Sequence, residues 1–198
     1  MRSALARVVA ALSLLALGPV LLLIALSVFL AMGSPVLFRQ ERSGLAGSRF
    51  TLLKFRSMRE ETGRDGRPLP DEERVTRIGR FLRRSRLDEL PGLFNIVKGD
   101  LAVVGPRPLL PETIAELGER GRRRGCVRPG LTGWSQVNGN TRLSLERKID
   151  LDLWYIANRS WGLDLQIILK TLAVMVFGER KTHHARKADG TGEVPDQS

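Results

Sequence analysis

The chain has 198 residues, enough for one membrane element and one compact domain. Its 32 Lys and Arg against 21 Asp and Glu give a formal charge of +11 and a pI near 11.0, so an anionic partner is expected, whether nucleic acid, anionic lipid or nucleotide. A single cysteine, Cys126, excludes an intrachain disulfide and suits a reducing cytoplasm; the only histidines, His183 and His184, lie in a polar tail, which argues against histidine-based catalysis or metal binding.

Residues 8–32 carry no charge. At ~25 residues the stretch is long enough to cross a hydrocarbon core about 30 Å thick. Its length and the lack of a small-residue cleavage site disfavour a signal peptide. Gly18-Pro19 falls near the middle, and proline, which lacks a backbone donor and crowds the preceding turn, predicts a kink there. Arg2 and Arg7 precede the stretch and Arg39 and Arg42 follow it. Basic flanks favour the cytoplasmic side, so a bent, re-entrant helix that enters and leaves by one face satisfies both, whereas a straight span carries one basic end across. Both topologies stay open on sequence alone.

Residues 36–40 and 49–55 read as two short strands joined by a turn at Gly44-Leu45-Ala46-Gly47, and 60–71 reads as a loop. Residues 72–85 carry Val75, Ile78, Phe81 and Leu82 at helical spacing among Arg74, Arg77, Arg80, Arg83 and Arg84, a pattern for a basic amphipathic helix at a membrane surface or packed on a core. A helix over 88–97 follows, with Asp88 as N-cap and Pro91 in its first turn. Residues 101–104 read as extended, 111–124 as a helix ending in Arg120, Arg122, Arg123 and Arg124, and 144–158 and 163–177 as two closing helices. Residues 179–198 read as a disordered tail.

Two segments carry the chemistry. Leu87-Asp88-Glu89-Leu90-Pro91 sets adjacent carboxylates among arginines, and Val104-Gly105-Pro106-Arg107-Pro108-Leu109-Leu110 holds one arginine between two prolines. Carboxylates bind a divalent metal or attack phosphorus, and arginines neutralise phosphate oxygens. Helix capping accounts for Asp88 without chemistry, and a plain turn accounts for Arg107. No zinc-finger spacing or other nucleic-acid-reading module is present.

In their order and spacing these motifs resemble the bacterial sugar transferases, the monotopic polyprenyl-phosphate phosphoglycosyl transferases. The carriers are Gly33-Ser34-Pro35-Val36-Leu37-Phe38-Arg39-Gln40-Glu41-Arg42-Ser43-Gly44, Phe50-Thr51-Leu52-Leu53-Lys54-Phe55-Arg56-Ser57-Met58, the two segments above, Leu93-Phe94-Asn95-Ile96-Val97-Lys98-Gly99-Asp100 and Arg128-Pro129-Gly130-Leu131-Thr132-Gly133-Trp134, with Asp152 and Tyr155 also fitting. The resemblance implies an α+β, mostly helical protein: a re-entrant membrane helix over 1–35, with its kink at Gly18-Pro19, a cytoplasmic domain over 36–178 with a short β-hairpin and interfacial amphipathic helices, and the tail 179–198. It implies transfer of a sugar 1-phosphate from a nucleoside diphosphate sugar, usually a UDP-sugar, to polyprenyl (undecaprenyl) phosphate with Mg²⁺. That reaction would start glycan assembly, as in exopolysaccharide biosynthesis, at the cytoplasmic face of the bacterial inner membrane, with membrane lipids as partners and no nucleic acid. Asp88 would form the phosphosugar intermediate, and Asp88 and Glu89 would hold the metal. Arg83 and Arg107 match phosphate-contacting arginines, and Lys54, Arg56 and Arg128 sit in shared motifs. The chain departs from the family pattern at Ala6, where an acid is common, at Gly18, where serine often precedes the proline, and at Asn140, where many relatives carry arginine and for which Arg142 is the candidate substitute. A catalytically impaired relative therefore stays open. So does a membrane-tethered, non-catalytic protein binding anionic lipid or nucleic acid, although that reading leaves the acid pair beside Pro106-Arg107-Pro108 unexplained.

Overall fold

The computed structural model describes residues 2–59 and 69–177. The apolar stretch forms two helices, α1 (Arg2–Ala16) and α2 (Gly18–Met32), bent by 64° at the break. Pro19 lies in the first turn of α2 and cannot donate to the turn before it, while Leu17 N to Ser13 O and Leu21 N to Leu17 O, both 2.8 Å, keep the ladders intact on either side. Neither helix alone is long and apolar enough to cross a membrane; the bent pair meets the requirement by length and composition.

Each half of the pair buries one face on the rest of the chain. Strand β1 (Leu37–Ser43) pairs antiparallel with β2 (Arg49–Phe55), Leu37 opposite Phe55 and Ser43 opposite Arg49, so the first strand runs three residues past its expected end. The period of two along β2 divides its side chains. Phe50 and Leu52 pack with Ala10 of α1 and with Ile96 and Leu101, whereas Phe55 packs with Ile24 and Val28 of α2 and with Leu82. The opposite faces of the two helices stay open, exposing Leu5, Leu12 and Leu15 on one and Leu22, Leu23 and Leu30 on the other.

The helix expected over 72–85 is interrupted. It splits into α3 (Asp71–Arg74) and α4 (Arg77–Ser85) because Val75 forms an antiparallel bridge with Met58, and Thr76 then caps α4, its hydroxyl accepting from Gly79 N at 3.0 Å. The helix expected over 88–97 also needs correction. Leu87–Glu89 is a 3₁₀ turn, and the helix proper, α5, is Gly92–Lys98, with no side-chain cap at Pro91. Asp88 is therefore not an N-cap. Helix α5 ends at Gly99 (φ 92).

Strand β3 (Ala102–Val104) occupies the expected extended segment, and the helix expected over 111–124 breaks at Leu117-Gly118 into α6 (Pro111–Glu116) and α7 (Gly118–Arg124). The glycine-rich run after Arg128 contains β4 (Gly130–Thr132), which pairs parallel with β3. Its glycines have a packing reason: a Cβ at Gly130 would lie 2.1 Å from Gly105 N, and one at Gly133 2.1 Å from Gly105 O. Beyond a short α8 (Trp134–Val137) come α9 (Leu145–Asn158), capped by Ser144, and α10 (Trp161–Phe177); Val137, Tyr155 and Ile167 form a third core cluster. Most of the expected loop, residues 60–68, and the expected tail lie outside the described residues.

Candidate active site

The turn 87–89 owes its position to Arg86, which adopts the left-handed conformation (φ 57) and so reverses the chain between α4 and Leu87. A non-glycine residue there costs about 1–2 kcal/mol. The cost is met locally: the Arg86 side chain is buried and its Nη2 donates to Gln136 O at 3.0 Å. The turn then presents Asp88 and Glu89 to a cavity of about 1170 Å³. Small-molecule sites run to roughly 300–1,000 Å³, so a nucleotide-sized ligand fits. Ten arginines and Lys54 line this cavity with two carboxylates, Asp88 and Glu89.

The two acids have different surroundings. Glu89 Oε1 accepts from Lys54 Nζ at 2.6 Å and from Arg107 Nη2 at 3.2 Å. Burial alone would raise the Glu89 carboxyl, but Arg107 and Lys54, with Arg86 behind them, bring it down to about 2. Asp88 accepts no side-chain hydrogen bond among the described residues. Burial and the neighbouring Glu89 charge push its carboxyl up to about 6 against the pull of Lys54, Arg83 and Arg107. Adjacent carboxyls driven apart in this way suit different tasks. Glu89 is a permanently charged anchor, and Asp88 is a basic, unengaged oxygen pair.

Arg107 is held from behind. Arg124 donates to the Arg107 carbonyl and, through Nε and Nη2, to Asp152 Oδ2 at 2.8 and 2.7 Å, while Ser135 Oγ donates to Asp152 Oδ1 at 2.7 Å. The Arg124 and Asp152 side chains are only 4% and 2% exposed. Tyr155 donates its hydroxyl to Asp164 at 2.7 Å and ties α9 to α10.

Of the residues singled out in the sequence, Lys54, Arg56, Arg83, Arg107 and Arg142 line the cavity with the acid pair, and Asn140 lies beside Arg142. Arg83 Nε donates to Ser57 Oγ at 2.9 Å. Arg56 gives its three nitrogens to the carbonyls of Met58, Pro35 and Met32 at 3.2, 3.1 and 2.8 Å, so it fastens the end of α2 to the end of β2. Arg128 is not brought to the cavity; its backbone carbonyl lies against Gly105. Arg42 and Arg86 line the cavity without having been singled out as site residues. Arg42, which follows the apolar stretch and lies in the shared segment 33–44, has its Nε buried without a partner among the described residues, and burial together with Arg107 lowers its pKa.

Among the described residues no three acidic, histidine or cysteine groups gather as a metal site. Mg²⁺ does not require that, because it is held by one or two carboxylates together with waters and substrate phosphates. Glu89 Oε2 and both Asp88 oxygens accept no hydrogen bond among the described residues, so the donor set fits such an ion.

Residues 1–178 match the family described as Bacterial sugar transferase. The uncharacterized sugar transferase EpsL of Bacillus subtilis (strain 168) is 45% identical over 190 residues, covering 93% of this chain and 94% of that protein. The UDP-glucose:undecaprenyl-phosphate glucose-1-phosphate transferase of Xanthomonas campestris pv. campestris is 39% identical over 188 residues, covering 89% of this chain and 39% of that protein. The UDP-N-acetylgalactosamine-undecaprenyl-phosphate N-acetylgalactosaminephosphotransferase of Aeromonas hydrophila is 36% identical over 174 residues, covering 81% of this chain and 40% of that protein. The chain thus spans nearly all of the Bacillus relative and about two fifths of the other two. By sequence, this chain belongs to the bacterial sugar transferase family.

Proposed function

We propose that the protein transfers a sugar 1-phosphate from a UDP-sugar to undecaprenyl phosphate in two displacements at Asp88. The observation that carries this reading is the contrast between the two acids, Asp88 unengaged and pushed up to about 6 beside Glu89 clamped by Lys54 and Arg107. The activities for which two relatives are named supply the substrate classes, and they differ in the sugar.

In the first displacement an Asp88 oxygen attacks the sugar-bearing phosphorus of the donor. The bond from that phosphorus to the bridging oxygen breaks, nucleoside monophosphate leaves with the electron pair, and the sugar phosphate is esterified to Asp88. In the second, a phosphate oxygen of the lipid attacks the same phosphorus, the bond to Asp88 breaks, and the carboxylate returns. Splitting one transfer into two in this way is what a carboxylate nucleophile offers. Mg²⁺ held by Asp88 and Glu89 would offset the diphosphate's charge. Lys54 and Arg107 fix Glu89 and leave donors facing the cavity, and Arg83 and Arg142 add positive charge for phosphate oxygens.

The bent pair is read as a re-entrant hairpin at the cytoplasmic face of the bacterial inner membrane. The 64° bend supports this, as does the packing of both α1 and α2 against the same domain. Purified protein given Mg²⁺, undecaprenyl phosphate and a panel of UDP-sugars should release UMP and form a lipid-linked sugar diphosphate with at least one donor. Absence of both products across the panel would contradict the reading.

A further inference from the structure

Several of the cavity's cations are held by protein groups, whereas Arg80, Arg84 and, at the chain turn 140–142, Arg142 make no side-chain hydrogen bond or ion pair among the described residues. Lys54 and Arg107 each give one nitrogen to Glu89 and Arg83 gives Nε to Ser57, which positions them and leaves further donors, while Arg56 bonds three carbonyls and Arg86 bonds Gln136. Arg80 and Arg84 are exposed. They lie one turn apart on α4, where like charges at this spacing disfavour the helix. Arg84, in the last turn, is partly accounted for by the helix dipole; Arg80, toward the N-terminal end, gains nothing from it. A bridging anion relieves the pair.

The position of α4 indicates which anion. On one side α4 packs Ile78 and Leu82 against Ile24 and Val28 of α2, and on another it contacts the turn 87–89. It therefore stands between the apolar hairpin and Asp88. Between the two arginines in sequence, Phe81 is 63% exposed, an apolar ring beside two cations on the element next to a helix that itself exposes Leu22, Leu26, Phe29 and Leu30. A ligand with a hydrocarbon chain and a terminal phosphomonoester matches this order of surfaces. Its chain would lie over Phe81 and its dianionic head would face the two guanidinium groups, which bind phosphate in a bidentate fork.

We propose that Arg80 and Arg84, with Phe81, receive the phosphate head of the polyprenyl phosphate acceptor, while Lys54, Arg83 and Arg107 serve the donor. The assignment rests on the transfer reaction proposed above, and it divides that reaction's two displacements between two sets of cations.

The test uses the full chain in a non-ionic detergent free of phospholipid, comparing wild type with Arg80→Gln, Arg84→Gln and the double variant. Both side chains are exposed, and unchanged melting temperatures establish that the variants fold. Without acceptor, the rate of the UMP burst from a UDP-sugar accepted by wild type should stay within twofold in the double variant. With acceptor, the KM for undecaprenyl phosphate should rise at least tenfold, and lysine at both positions should recover part of that loss. An acceptor KM within twofold of wild type overturns the assignment, even if the variant binds anionic phospholipid vesicles less well, because the arginines then serve the bilayer surface. A burst slowed by the same factor as the acceptor step also overturns it and places the arginines on the donor. A wild-type protein with no burst contradicts the aspartyl reaction itself and removes the basis of this division.

Discussion

Lys54 Nζ lies 2.6 Å from Glu89 Oε1, a contact that bridges 35 positions of sequence and leaves the neighbouring Asp88 unengaged. The pairing gives the two acids opposite relations to the folded state. Asp88 has an ordinary value of 3.8 and titrates at about 6 in the folded protein, so the proton is held more tightly there than in the unfolded chain. Its contribution to stability is full below pH 3.8 and is lost as the pH rises through 6. Asp88→Asn cannot ionise. In metal-free protein at pH 7.5 it should be more stable than wild type by about 1–2 kcal/mol, a figure discounted for partial exposure, and the difference should vanish by pH 4. Denaturant melts in detergent with EDTA check this, and a less stable variant at pH 7.5 would count against the assigned environment.

Glu89 runs the other way. Its ordinary value of 4.5 falls to about 2, so its contribution is present above pH 4.5 and is lost as the pH falls through 2. Glu89→Gln strands Lys54 and Arg107, and it should cost about 2–3 kcal/mol at pH 7.5 in the same melts, below the range for a fully buried pair because Lys54 and Arg107 are partly exposed. Two adjacent acid-to-amide changes should therefore shift stability in opposite directions. Shifts of the same sign would refute the contrast.

How much of this was legible in the sequence depends on the range of the forces involved. The kink at Pro19 and the hairpin were readable because a missing donor and a period of two act within a few residues. The helix assigned to 88–97 was misplaced because the N-cap rule sees an aspartate and cannot see Arg86 turning left-handed and bonding Gln136, 50 positions away. The split at Val75 likewise follows from its bridge to Met58, and β4 was hidden in a run whose glycines answer to Gly105 rather than to a loop. Motif membership alone did not fix location: Arg42 and Arg128 both sit in shared segments, yet Arg42 lines the cavity and Arg128 lies off it.

Asp152 is the support for Arg107, acting through Arg124. Asp152→Asn leaves a buried guanidinium without its counter-charge and should cost about 3–5 kcal/mol in denaturant melts. Ser135→Ala removes one hydrogen bond to the same carboxylate and should cost only about 1 kcal/mol. Comparable losses for the two changes would mean that the ion pair is not the main element of the network.

Pro19→Leu restores a backbone donor at the bend of the apolar pair and should straighten it. With Cys126→Ser as background and Ala4→Cys as reporter, a membrane-impermeant thiol reagent should leave position 4 unlabelled from outside in intact cells when Pro19 is present. Part of the Pro19→Leu population should become labelled from outside. Labelling of position 4 from outside with Pro19 in place excludes the hairpin topology.

In the proposed mechanism Asp88 carries the sugar phosphate between donor and lipid. Incubating the purified protein with Mg²⁺ and a UDP-sugar it accepts, without lipid acceptor, and mapping peptides by mass spectrometry tests it most directly. A sugar-phosphate mass should be added to the peptide bearing Asp88, lost on adding undecaprenyl phosphate and absent from Asp88→Asn. Full turnover by Asp88→Asn, or an adduct on another residue, would contradict it.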